Sequence, residues 1–340
     1  MNRPSRAFSM IELMIVILII ALVVAILLPA LGSVRASSRD QATRDLMVQI
    51  SNSISQFQLS EKRMPGIFTA QEMGAPENGN TNGFLNLDNA MLELAGGLVP
   101  DTYAGAVQVG PMSNTAQRVY FHVDGIGVSG TTNKSYYQPP AKYYKLLNGS
   151  ENGTKQADAA NRAVPSIVDA HGMPILLWAT DPMAVGPIKV PADFANTGSA
   201  SANPARFYYN SNAGVLSAAS VGKKITDQNQ KSLIGGSRAN KHISLGGVLG
   251  APGSPQDATL LAPQILPSAP RGPFVLHAAG ANGVFVGEEE RGAAQTGAGL
   301  TLFYGLNFKD MTGNEHRDSA GKPTSLDVMK DFDDILISGS

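Results

Sequence analysis

Phe8-Ser9-Met10-Ile11-Glu12-Leu13 opens the stretch that decides how the rest of the chain is read. From Leu13 to Leu28 there are 16 consecutive apolar residues, and the wider segment Phe8–Leu31 carries one charge in 24 residues, Glu12. As a helix it would reach roughly 36 Å, enough to cross the hydrocarbon core of a bilayer. A short head, Met1 to Ala7, precedes it with Arg3 and Arg6. A carboxylate in a membrane helix is costly, about 2.5–3.5 kcal/mol at mid-bilayer and less near the edge. Glu12 therefore calls for a partner. A cut after Ala7 would make one, a new α-amino group at Phe8.

Ala7-Phe8-Ser9-Met10-Ile11-Glu12-Leu13 resembles the processing motif of type IV pilins and type II secretion pseudopilins. That pattern is a small residue, usually glycine, then the cut, then phenylalanine, with glutamate fifth in the mature chain. Phe8 and Glu12 match in type and spacing, and Ala7 replaces glycine. Pro29 falls at mature position twenty-two, where many members also carry proline. The resemblance implies cutting between Ala7 and Phe8 by a prepilin peptidase, methylation at Phe8, and an assembly role for Glu12.

Two other readings compete for the N-terminus. One is an ordinary secretory signal cut near Ala30-Leu31-Gly32, for which the apolar core is long and Glu12 has no job. The other is an uncut anchor. Flanking charge does not set the orientation, since Arg3 and Arg6 face Arg35, Arg39 and Arg44 across the run.

Composition bounds the remainder. Of the 340 residues 43% are hydrophobic and 16% charged, and about 280 follow the N-terminal helix, enough for one large domain or two small ones. A net charge of −1 gives no pointer to nucleic acid. With no cysteine there are no disulfides or thiol metal sites.

Beyond Pro29 and Gly32, where a kink or loosening is expected, Ala42, Leu46, Met47, Ile50, Ile54 and Phe57 recur at helical spacing. Arg35 to about Ser60 therefore reads as an amphipathic helix with its apolar side on a sheet, ended by Met64-Pro65-Gly66. Gln71 to Phe84 reads as a loop and Asn89–Gly97 as a short helix. Strands are expected at Arg118–Val123, Lys142–Leu147, Ile175–Thr180, Arg206–Tyr209 and Pro273–Ala278. Tyr136, Tyr137, Tyr143 and Tyr144 read as strand packing with one wet edge rather than as a binding site.

Asp169-Ala170-His171-Gly172-Met173-Pro174 resembles the turn and strand entrance Asp-Pro-Trp-Gly-Asn-Pro-Tyr of the major type II secretion pseudopilin, with His171 where tryptophan stands there. His171 reads as a turn residue, not a ligand. The segment 181–273 holds ten of the 21 prolines and no long apolar run, and reads as an elaborated surface insertion. Phe274 to Gly283 and Asp331 to Ile335 resemble the final strand, turn and terminal Asp-Ile of the same pseudopilins. Asn282 replaces the expected aspartate, and about 50 residues, Glu288-Glu289-Glu290 among them, separate the two parts. The resemblance suggests calcium there, held by Asn282, Asp333 and Asp334; the plainer reading is a solvated acidic end.

The five histidines have no ligand spacing, and no phosphate-binding or nucleophile motif is present. The expectation is thus an α+β, pilin-like subunit and not an enzyme. Its parts are a leader at 1–7, a transmembrane stretch at 8–31, an amphipathic stretch at 32–62 and a head at 63–340. The partners implied are prepilin peptidase, copies of itself and other pilins or pseudopilins, and a secretion or pilus assembly platform in the bacterial inner membrane, with the head outside the cytoplasm. The alternatives are an uncut single-pass binding module and a secreted hydrolase, for which no catalytic set is found.

Overall fold

The computed structural model of the chain describes residues 10–76, 81–127, 135–147, 154–198, 204–239, 241–252, 266–290 and 332–339, with backbone alone at 26–31, 33, 252 and 289. Helix α1, Met10–Glu61, runs for 52 residues, roughly 78 Å. It continues unbroken across Pro29 and Gly32. Its two halves differ sharply. From Met10 to Ala25 every residue is exposed, 80% at Met10 and 70% at Leu18. Further on, Leu46, Met47, Ile50, Ile54 and Phe57 are buried along one stripe, as their spacing requires. The helix stops where Lys62 turns to a φ of 60° while its N–H still reaches the Gln58 carbonyl at 2.9 Å. Arg63 then forks onto buried Glu93, at 2.6 and 2.5 Å, and fixes the exit.

Helix α2 is Ala70–Gly74 and α3 is Asn86–Leu94. The strands that follow are β1 (Gly96–Leu98), β2 (Val107–Val109), β3 (Val119–Ile126), β4 (Tyr144–Lys145), β5 (Ser166–Ile167) and β6 (Leu176–Ala179), with helix α4 at Ala159–Arg162. Then come α5 (Pro191–Phe194), β7 (Ala195–Asn196), β8 (Phe207–Tyr208), α6 (Ala213–Leu216), α7 (Lys241–Leu249), β9 (Gly250–Pro252), β10 (Pro267–Pro270), β11 (Phe274–Ala278) and β12 (Ile335–Ser338).

The sheet that organises the head has the order β12-β11-β6, antiparallel throughout. Leu276 sits opposite both Leu177 and Ile337, and all three face α1 with Leu46, Ile50 and Phe57. One residue along, Val275 sits opposite Trp178, and both face the other way. This period of two buries both faces, so every residue of β11 is buried. A second antiparallel sheet, β1-β3-β2, closes over Phe68, Phe84 and Leu92.

The far face of the first sheet corrects the reading of 181–273. Phe194, Phe207, Leu216, Leu233, Leu245 and Leu249 from that segment form one core with Trp178, Val275 and Phe285. The segment is a structural layer of the head as well as an elaboration. It gives little sequence signal because each short element contributes only one to three apolar side chains. It also contains a parallel pair, β7 with β8, in a head otherwise paired antiparallel among the described residues.

Three expectations need smaller corrections. Gln71–Phe84 is not all loop: Thr69 and Glu72 form a reciprocal capping box that starts α2. The helix expected at Asn89–Gly97 begins at Asn86 and ends at Leu94, because Gly96 and Gly97 take φ of 93° and 119° and enter β1. The strand expected at Lys142–Leu147 is a 3₁₀ turn, Ala141–Tyr143, followed by β4 alone.

Candidate functional site

Ala7 and Phe8 lie outside the described residues. Glu12 stands in the first turn of α1, a favourable end of the helix dipole for a carboxylate, among exposed Ile11, Leu13, Met14 and Ile15. The expected membrane segment 8–31 is only partly described, and among the described residues no helix is long and apolar enough to cross a membrane. What is described is a bare apolar surface on the Met10–Ala25 part of the helix, far more than a soluble monomer usually exposes in one place.

At the C-terminal end of β11, the turn Gly280-Ala281-Asn282-Gly283 meets the residues before β12. Gly280 and Gly283 take φ of 61° and 74°. A Cβ on Gly280 would stand 2.3 Å from the Asp333 carbonyl oxygen, so this approach requires glycine. The turn brings Glu290, Asp333 and Asp334 together, one oxygen from each lying within 4.8 Å of the others. Asp331 lies outside the described residues.

Each carboxyl is held differently. Asp334 Oδ2 accepts from the Val286 N–H at 2.7 Å and lies 2.6 Å from His277 Nε2. Asp333 accepts from the Asn282 N–H at 2.9 Å and from its side-chain amide at 2.8 Å. That amide also donates to Glu290 Oε1. Among the described residues two oxygens have no hydrogen-bond partner, Glu290 Oε2 and Asp334 Oδ1, in residues only 3% and 6% exposed. Burial, then the neighbouring aspartates, pushes the Glu290 carboxyl up to about 9. Burial raises Asp334 well above the usual carboxylate range and lowers His277 to about 3. Neutral His277 thus faces Asp334 through Nε2.

Asn282 stands differently from expectation. Its side-chain oxygen accepts from the Val284 N–H at 2.6 Å in a local turn, so it turns a donating NH2 towards the carboxylates. The third carboxylate of the cluster is Glu290. The acidic run Glu288-Glu289-Glu290 was visible in the sequence, but only the fold sets its last member beside Asp333 and Asp334.

The Asp169 turn has another task. Asp169 Oδ1 accepts from the N–H groups of His171 and Met173, each at 2.8 Å. Ala170 N–H donates to Thr43 of α1 at 3.1 Å, and His171 Nε2 lies 2.7 Å from Asp40 of α1. The turn therefore clamps the helix to the head. Burial raises the Asp169 carboxyl to about 6. The folded state then holds its proton more tightly than the unfolded chain, so stability is full below about pH 4 and declines as pH rises through 6. Asp169→Asn keeps the accepting oxygen and cannot ionise. It should match the wild type at pH 4 and exceed it by about 1–2 kcal/mol at pH 7.5. Urea midpoints at the two pH values test this, and a difference independent of pH would count against it.

Residues 2–28 match a protein-family model described as the prokaryotic N-terminal methylation motif. Residues 2–28 thus carry a prepilin-type N-terminal motif. The match covers Ala7, Phe8 and Glu12 and ends before the head begins. No curated protein and no solved structure matches the chain. The motif is of a kind found in structural subunits of pilins and pseudopilins. The carboxylate cluster is a feature of the head.

Proposed function

We propose that this prepilin-type chain is a filament subunit, made with a leader at 1–7, cut between Ala7 and Phe8, methylated at Phe8, and assembled into a type II secretion pseudopilus or a type IV pilus-like fibre. The observation that carries the reading is the bare apolar surface of α1 within the methylation motif, with Glu12 its one charge. Before assembly, 8–31 spans the bacterial inner membrane with the head, 63–340, on the extracytoplasmic side. In the fibre the same surface is covered by neighbouring copies. The Phe8 amine of one subunit then lies beside Glu12 of the next, so two charges that are costly at membrane depth compensate each other in the fibre. The partners are prepilin peptidase, other pilins or pseudopilins, and the inner-membrane assembly platform.

Mass spectrometry of the mature N-terminus tests the reading. Methylated Phe8 is the expected first residue, and Ala7→Arg should leave the precursor uncut. A chain beginning at Met1 would favour an uncut anchored binding module, and one beginning near Ser33 an ordinary secretory signal. Glu12→Ala should be inserted and cut yet incorporate into fibres at least ten-fold less; normal incorporation would remove the role of Glu12.

The head reading includes calcium at Glu290, Asp333 and Asp334. The donor set suits a hard cation, since all three are carboxylates and two buried oxygens lack partners. The Asn282 amide would give up its hold on Glu290 and Asp333 as the ion enters. His277 and the Val286 N–H would keep Asp334 oriented.

A further inference from the structure

A groove of about 570 Å³ lies where α1 leaves its bare half, between that helix, β4 and the Asp169 turn. Arg39, Lys142 and Lys145 line it, with Tyr143, Tyr144 and Asp169. We propose that it holds the headgroup of a glycerophospholipid, phosphate first, as the chain sits in the membrane before assembly. This rests on the reading that 8–31 lies in the bilayer.

Position, charge and two orphan atoms support it. Arg39 is eight residues beyond Leu31, roughly 12 Å along the helix. The headgroup layer extends about 5–8 Å beyond the hydrocarbon on each side, and long basic side chains cover the remaining distance. Lys142 Nζ stands 4.7 Å from the centre of the Tyr143 ring, an amphipathic pair of the kind favoured at a membrane surface. The nearby acids on α1 are already engaged, Asp40 by His171 at 2.7 Å and Asp45 by the Gln41 amide at 2.8 Å. Tyr144 lines the groove, and its hydroxyl is buried with no hydrogen-bond partner among the described residues. A phosphate oxygen that parts the rim side chains would supply one. Asp169 Oδ2 is also buried without a partner among the described residues, and it needs a donor. The hydroxyl or ammonium beyond the phosphate in a phosphatidylglycerol or phosphatidylethanolamine headgroup is such a donor. Phosphatidylcholine has none.

Native mass spectrometry of the full mature chain in non-ionic detergent tests the groove directly. Short-chain phosphatidylglycerol is titrated against the wild type and against Arg39→Gln with Lys142→Gln. Both side chains are exposed, and an unchanged thermal midpoint in detergent checks that the variant is folded. One retained phosphatidylglycerol is expected on the wild type. At about five-fold per basic residue, the double variant should bind roughly 25-fold more weakly. Equal retention by the two proteins, or equal retention of phosphatidylcholine, would overturn the proposal. Displacement of the lipid by the same concentration of inorganic phosphate would assign the groove to free phosphate and overturn it equally. Carbonate extraction of cell membranes reads the bilayer segment separately. A chain that resists extraction but retains no lipid refutes the groove alone; a chain released by carbonate refutes the membrane reading beneath it.

Discussion

Lys155→Met should destabilise the folded head by about 3–5 kcal/mol, the cost of leaving one member of a buried ion pair alone. Lys155 Nζ lies 2.7 Å from Asp88 Oδ2, and the two side chains are 0% and 1% exposed. Ser166 also donates to that oxygen, at 3.2 Å. Asp88 stands in the first turn of α3, where the helix dipole favours a carboxylate, but that effect is worth about 1 kcal/mol and cannot replace an ammonium. Folded domains are stable by about 5–15 kcal/mol in total, so a large fraction would be lost. The pair as a whole is worth less than either half suggests, because both charges were taken out of water to make it. Asp88→Leu with Lys155→Met should therefore recover to within about 2 kcal/mol of the wild type. Urea titration of the three proteins decides it. A loss under about 1 kcal/mol in the single variant would mean that Lys155 reaches solvent and that the pair does not tie residues 154–158 to α3.

That pair marks the boundary of what the sequence discloses. Lys155 follows Asn148-Gly149-Ser150 and Asn152-Gly153, a context that reads as exposed loop, and nothing local tells that its ammonium is buried. The amphipathic half of α1 is legible because Leu46, Ile50, Ile54 and Phe57 carry the period of the helix in their own spacing. β6 and β11 are legible for the same local reason, runs of bulky apolar residues between turn formers. Their pairing is not, since Phe274–Ala278 meets Leu176–Ala179 across almost a hundred residues. The layer built from 181–273 was hidden because its core residues arrive singly from short elements. Thr69-x-x-Glu72 has the spacing of a capping box in a stretch otherwise rich in Gly, Asn and Pro. At the N-terminus the balance reverses. Phe8 and Glu12 are read from type and spacing alone, because a peptidase and a lipid bilayer respond to local sequence. The carboxylate cluster falls between. Asp333 and Asp334 were legible as an acidic end, whereas Glu290 joins them only through the turn at Gly280–Gly283.

Calcium should raise the thermal midpoint of the full chain in detergent by about 5–10 °C over the same protein in chelator. An ion present at about a hundred times its dissociation constant stabilises the state that binds it by about 2.7 kcal/mol, and a domain of this size gains about 2–4 °C per kcal/mol. Without the ion, Glu290 and Asp334 meet their mutual repulsion and burial by holding protons, as their raised values require. The folded chain then binds protons that the unfolded chain has released above about pH 4.3, so calcium-free stability falls as pH rises towards 9. Calcium replaces those protons, and the gap between calcium and chelator should be wider at pH 8 than at pH 6. Magnesium, which demands a smaller octahedral shell and keeps its own waters, should give a much smaller rise. Asp333→Ala with Asp334→Ala should abolish the response, although the loss of Asp334 also strands His277 and the Val286 N–H. Glu290→Gln is the gentler variant, since it keeps an accepting oxygen for the Asn282 amide while removing one of the three carboxylates. It should melt in chelator no lower than the wild type and gain little from calcium. Equal wild-type midpoints in calcium and chelator at pH 8 would leave three carboxyls sharing protons, and no metal site.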